Sequence, residues 1–464
     1  MNRNVLHTYG EHYKTLLAVG MPLVMGQIGM LLVSFADTLM IGHHGLEELA
    51  AASFVNNVFI LCILIGLGFA SGLTPMVGAL YGQGRLREAG RVLRNSLAAN
   101  ALMGMGLTGV MGVLYFFLPR LGQPEELLPL IRPYYLVQLA SLLPVMLFNS
   151  FKQYSDGASD TKPSMWIVLS GNLLNIVGNY LLIYGRAGLP EMGLMGAGIS
   201  TLLSRLYMAV AFAWLFFGTR RYGPGRRGFY AGRIDRAIFR RLHVLGVPLA
   251  FQMGMETAAF SLCAVMVGWL GTLELAAHQI MVTISQVCFM VYCGMAAAVS
   301  VRVSFYHGRG DKVSVRRTAY AGHHLILLCA FITTVPLLLL RNDLGGLFTE
   351  SAEVSRLIAM LVLVLALYQF GDGMQINYAN ALRGIADVKS LMLYAFIAYF
   401  VVSLPASYFF GFVMGWGLVG IWLAFPFGLT IAALLYFFRF EKQTRPAEGM
   451  RTTDPGQETV NRKK

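Results

Sequence analysis

Three carboxylates lie where carboxylates are expensive. Asp37 sits near the end of the apolar run "LLVSFADTLMIG" (31–42), Glu256 in "FQMGMETAAF" (251–260) and Asp372 in "YQFGDGMQINYAN" (368–380). An acid at the centre of a bilayer costs ~2.5–3.5 kcal/mol on insertion scales, so such residues are rare and usually functional. Polar groups accompany them. "GNLLNIVGN" (171–179) supplies Asn172, Asn175 and Asn179, and the last two share a helix face four residues apart. Tyr368, Gln375 and Asn377 flank Asp372. Carboxylate, amide and hydroxyl oxygens together suit a hard monovalent cation. Because desolvation favours the neutral form of an acid, such a carboxylate also suits a proton carrier. Both readings predict coupling to a cation gradient. Arg205, in "LLSRLY", is the one arginine within the apolar runs. It either pairs with an acid or snorkels along its helix. His43 and His44 close the first run, where interfacial solvation is expected.

The elements that must position these groups are membrane helices. Of the 464 residues 56% are hydrophobic and 13% charged, about half the charge a soluble surface of this size carries. The mean hydropathy is +0.61. Apolar stretches predict twelve spans, near 16–41, 50–73, 97–118, 134–152, 165–184, 194–217, 244–270, 278–301, 323–340, 358–381, 391–412 and 417–438, most long enough to cross a ~30 Å hydrocarbon layer. The first run lacks a small-residue cleavage site and outlasts signal-peptide length, so no cleaved leader is expected. The five cysteines lie inside these runs without metal or redox spacing and read as small buried hydrophobes.

Basic residues orient the spans. The N-terminus, the even-numbered connections and the tail hold 30 of the 36 lysines and arginines. By the positive-inside rule both termini are cytoplasmic. The segment 219–241 alone carries eight arginines. The net charge of +13 is therefore a topology signal, and its spread over separate loops argues against nucleic-acid binding.

Shifted by 226 residues, the chain meets itself. "VGMPL" (19–23) falls on "LGVPL" (245–249), and "MIGHHGLEELAA" (40–51) on "MVGWLGTLELAA" (266–277). From Gly20 to Arg91, 17 of 72 positions are identical, where chance gives about 5. The expected fold is all-α and integral to the membrane: twelve helices in two parallel six-helix repeats around a central cavity. The expected divisions are an N-terminal lobe (1–218), a basic linker (219–243), a C-terminal lobe (244–440) and a disordered cytoplasmic tail (441–464). Parallel repeats place substrate sites near the repeat interface. Pro22 and Pro248 occupy equivalent places in the first helix of each half, and both helices are expected to bend there. The repeat partner of Asp37 is Cys263 and that of Glu256 is Met30, so the fold itself needs an acid at neither place.

These features resemble the multidrug and toxic compound extrusion family, in its NorM-like branch. The likeness rests on Pro22, Asp37, "LELAAHQI" (273–280), Glu256, Asp372 and the paired six-span halves, over nearly the whole chain before the tail. The resemblance implies an antiporter, not an enzyme, expelling lipophilic organic cations in exchange for Na⁺ or H⁺ from the inner membrane of a bacterium, as a monomer and without a cofactor. It implies an N-lobe cation site at Asp37, Asn175, Asn179 and Thr201. It implies a C-lobe site at Glu256 and Asp372 with Tyr368 nearby, to which Gln375 is added here. Na⁺ would sit at Asp37 or at Glu256 and Asp372. Asn179 stands where some relatives carry an aspartate, which leaves both ions open. The competing reading is a flippase for lipid-linked glycans, which would want cationic residues facing phosphates. An intramembrane enzyme would need paired aspartate motifs or HExxH spacing, and neither is present.

Overall fold

The computed structural model describes residues 3–122 and 124–445. Apolar runs longer than a bilayer is thick leave the backbone no partner but itself, so the chain is helical throughout its spans. In order these are α1 (Arg3–His44), α2 (Leu46–Ser71) continuing past Gly72 as α3 (Leu73–Gly82), α4 (Leu86–Tyr115), α5 (Leu128–Gly157), α6 (Thr161–Ile183) and α7 (Gly193–Gly218). A short helix, α8 (Gly223–Ala231), leads to the second half. That half comprises α9 (Arg236–Gly268), α10 (Thr272–Gly308), α11 (Lys312–Leu339), α12 (Ala352–Gly384), α13 (Val388–Phe396), α14 (Leu404–Tyr408) and α15 (Gly417–Thr444). α13 and α14 are joined, and α14 is followed, by wide π turns at Ile397–Ser403 and Phe409–Val413, which make one crossing of the four pieces. Twelve helical stretches among the described residues are long and apolar enough to span.

Each expected span lies largely in its own helix. Most helices overrun the expected limits where the chain's termini lie, because an apolar run ends at the first charges while helical hydrogen bonds continue. α1 starts at Arg3, α3 reaches Gly82 and α10 reaches Gly308. The last helix runs to Thr444, so residues 441–444, expected in a disordered tail, are helical. The rest of that tail lies outside the described residues. Pro22 and Pro248 are buried inside uninterrupted helices.

Three large cores divide the molecule. One is shared by both halves and includes Leu16, Val19, Leu73, Leu249, Ala298 and Val301. It lies at the face bearing the termini. Toward the opposite face the halves have separate cores, one around Ile41, Phe59 and Tyr135 and one around Val267, Leu365 and Trp422. The halves thus meet at the termini face and hold apart beyond it.

Glycine makes that meeting close, and the repeat governs it. A Cβ on Gly68 would lie 2.6 Å from the carbonyl of Leu249, and one on Gly294 would lie 2.6 Å from Val24 Cα. These are the same contact seen from the two halves, 226 residues apart. Gly82 against Phe305 and Gly308 against Ala79 form a second such pair. Gly78 lies against Ser304, its own counterpart. Without side chains, backbones approach closely enough to replace the apolar drive that lipid does not supply. Hydrogen bonds cross the same region. His12 Nδ1 meets Thr318 Oγ1 at 3.0 Å, Tyr13 OH meets His324 Nδ1 at 2.8 Å, and Thr161 Oγ1 donates to the Val19 carbonyl at 3.0 Å within the first half.

Candidate functional site

The first half assembles its site from α1, α6 and α7. Asn175 and Asn179 stand one turn apart on α6, facing Asp37 of α1. Asn179 Nδ2 donates to Asp37 Oδ1 at 2.5 Å. The amide of Asn175 is best satisfied with its Nδ2 donating to the same oxygen at 2.9 Å while its Oδ1 accepts from Thr201 N at 3.3 Å and Thr201 Oγ1 at 3.2 Å. Ser200 Oγ donates to the Asn175 carbonyl at 2.8 Å and so ties α7 to α6. The four residues expected together are therefore together. One carboxylate oxygen of Asp37 receives two amide N–H groups. Asn179 is fully buried, and its Oδ1 has no partner among the described residues.

Arg205, one turn beyond Thr201 on α7, neither pairs with an acid nor snorkels. It donates to Gln138 Oε1 at 3.2 Å and to Ser141 Oγ, both on α5. Gln138 Nε2 donates to Tyr134 OH at 3.0 Å, and Tyr134 OH donates to Asn56 Oδ1 at 3.4 Å. This polar chain escaped the sequence reading because Gln138 and Ser141 look like ordinary interruptions of an apolar run. His44 also departs from expectation. Its two ring nitrogens meet Glu48 at 2.8 Å and Glu191 at 3.0 Å, so it ties the first turn of α2 to the connection before α7, at the face opposite the termini.

The second half builds differently. Asp372 and Tyr368 share a face of α12 and are buried, with Asp372 2% exposed. Asp372 Oδ2 has no partner among the described residues. Glu256 of α9 accepts from Gln252 Nε2 at 3.0 Å. Gln375 Nε2 donates to Tyr399 OH at 3.3 Å. No hydrogen bond joins Glu256 to Asp372 among the described residues. Beside them Tyr292 OH donates to Gln369 Oε1 at 2.7 Å and meets Thr333 Oγ1 at 2.8 Å. Tyr292, Thr333 and Gln252 were not foreseen; single polar residues on three different helices carry no spacing signal. His278, in the quoted "LELAAHQI", accepts from Trp422 Nε1 at 3.1 Å and pins α10 to α15.

Among the described residues each half thus places an unsatisfied buried oxygen, Asn179 Oδ1 or Asp372 Oδ2, at a carboxylate within its membrane spans. The MatE family model matches residues 22–181 and again 248–409, its two copies beginning at Pro22 and Pro248. The chain is 33% identical over 440 residues to the probable multidrug resistance protein NorM of Xanthomonas campestris pv. campestris, covering 94% of this chain and 95% of that protein. It is 31% identical over 447 residues to the like-named protein of Bradyrhizobium diazoefficiens, covering 96% of each. The fold matches a multidrug resistance MATE transporter solved in an outward-facing conformation, with a TM-score of 0.85, 20% identity and coverage of 96% and 98%. It matches equally a MOP superfamily transporter from Pyrococcus furiosus, for which reversed polarity of the binding pocket suggests a different function, with a TM-score of 0.85, 19% identity and the same coverage. The chain belongs to the MatE family, the multidrug and toxic compound extrusion transporters, in its NorM-like branch. It is a transporter and not an enzyme.

Proposed function

We propose that this chain is a multidrug exporter of the bacterial inner membrane that expels lipophilic organic cations in exchange for Na⁺ or H⁺, with both termini in the cytoplasm. The observation that carries the reading is Asn179 Oδ1, a buried acceptor without a donor, beside a carboxylate that already uses one oxygen on two amides. A proton on Asp37 Oδ2 would complete an acid–amide pair with Asn179. A Na⁺ held between Asp37, Asn179 and Thr201 oxygens would satisfy the same acceptor. Either cation neutralises a charge that the bilayer interior disfavours. A ligand shifts a two-state equilibrium only by its differential affinity for the states, and a carboxylate that changes charge supplies that difference. The unpartnered Asp372 Oδ2 supports a second cation position in the C-lobe, with Glu256, Tyr368 and Gln375 around it.

With the termini cytoplasmic, the shared core at their face lies on the inside and the two separate cores lie toward the outside. The experiment is dye efflux from proteoliposomes with Na⁺ and pH gradients imposed separately. Either gradient should drive efflux of cationic dyes, and Asp37→Asn should reduce that efflux at least tenfold with folded yield unchanged. A variant that folds poorly yet transports normally per folded molecule would reduce Asp37 to a structural pin. Preferential transport of anionic dyes or glycan lipids would favour the flippase.

A further inference from the structure

The arginine-rich connection between the halves is a built surface rather than a loose tether. α8 lies on α4 through glycines. A Cβ on Gly90 would overlap the Gly225 carbonyl, and one on Gly228 the Arg87 carbonyl. Arg94 Nη1 donates to the Gly232 carbonyl at 2.6 Å and to the Phe229 carbonyl at 3.2 Å. Asn95 clamps the exit: its Nδ2 donates to the Arg233 carbonyl at 3.3 Å, and its Oδ1 accepts from Asp235 N at 2.8 Å. Phe229 packs on Phe217 at the end of α7, 5.1 Å between ring centroids.

With its glycine face spent on α4, α8 turns Arg227 and Tyr230 outward, followed by Arg233, Ile234 and Arg236. Tyr230 and Ile234 are 66% and 63% exposed, and Trp214 on the last turns of α7 is 71% exposed. None of Arg227, Arg233 and Arg236 has an acid partner among the described residues. We propose that this face, Arg227, Tyr230, Arg233, Ile234 and Arg236 with Trp214, docks on the headgroups of anionic phospholipids. Three features select a lipid surface over a soluble acidic partner. The segment joins two membrane spans and begins five residues after one ends, so it lies at the bilayer surface. Its charge is strongly basic, complementary to an anionic leaflet, and its one acid, Asp235, is engaged in capping α9 through the backbone N–H of Ala237. Its exposed aromatic and aliphatic groups are those that the interfacial zone accommodates and water does not. Clamped beforehand, the face loses little freedom on docking.

The test counts lipids bound to the full chain in neutral detergent by intact-protein mass spectrometry, during titration with dioleoyl phosphatidylglycerol or dioleoyl phosphatidylcholine. The wild type should prefer phosphatidylglycerol about tenfold. R227Q/R233Q/R236Q should lower that preference at least fivefold, and Y230S/I234S should weaken binding of both lipids. If the triple variant does not fold, R227Q and R233Q singly should each lower the preference about twofold. Equal binding of the two lipids by the wild type, or an unchanged preference in folded variants, overturns the proposal. So does capture of polyglutamate by this face without a phosphatidylglycerol preference. None of these readouts depends on transport.

Discussion

Ser159 and Ala386 hold left-handed backbone, with φ of 60° and 63°. They occupy matching places in "DGASDTK" and "RGIADVK", each just before the fifth helix of its half. A side chain there costs on the order of 1 kcal/mol that glycine does not incur. Ala386→Gly should raise the thermal midpoint in detergent, Ala386→Val should lower it, and a midpoint insensitive to both would mean the turn is unstrained. The two motifs are loose echoes of each other in the sequence, but their conformation is not legible there, because neither carries a glycine at the left-handed position itself. The residues of the proposed sites divide likewise. Asp37, Glu256 and Asp372 announce themselves by charge in an apolar run. Gln138, Ser141, Tyr292 and Thr333 do not, since their meaning depends on which helix faces which.

At the scale of elements, two helix starts at the termini face, those of α9 and α11, are fixed by aspartate caps. Asp311 caps α11, its Oδ1 accepting from Ser314 N at 2.9 Å. Burial disfavours the charged carboxyl, but the hydrogen bonds from Ser314 and the nearby Arg309 and His12 outweigh it and hold Asp311 below its ordinary value of 3.8. A carboxyl lowered on folding stabilises above its unfolded value, and that gain is lost as pH falls through the folded one. Asp311→Ala should therefore cost about 1 kcal/mol at neutral pH. The difference from wild type should persist down to about pH 4 and close below it. Thermal midpoints measured across pH check this; a difference unchanged at pH 3 would remove the charge from the account. The caps were not read from sequence, whereas the spans were, because a span repeats its apolar signal some twenty times and a cap gives its signal once.

For the whole molecule, the decisive division is between one shared core and two separate ones. Alternating access requires the shared region to part. A Cβ on Gly20 would lie 3.3 Å from that of Ala298 across the interface, just short of disulfide spacing. In a background lacking the five native cysteines, Gly20→Cys/Ala298→Cys should cross-link under oxidation and lose efflux, and a reductant should restore it. Undiminished efflux from the oxidised form would show that the halves do not separate there. Fold class, span number and the duplication were all visible in the sequence, because composition and a gapless shift report them directly. Which faces the duplicated halves turn toward each other was not, since glycine carries no hydropathy.

The meeting of Gly78 with Ser304 has a further consequence. In a symmetric dimer of separate subunits, a residue on the twofold axis meets its own copy and cannot differ from it. Here the Ser304 hydroxyl occupies the space that a Cβ on Gly78 would fill. Two serines would collide, and two glycines would forfeit the hydroxyl's bond to the Val301 carbonyl at 2.8 Å. Joining the halves in one chain frees the axial position from self-complementarity, so one side can be empty and the other full. The fused chain can thus seal its closed end with an unlike pair at the one place where two identical halves could not.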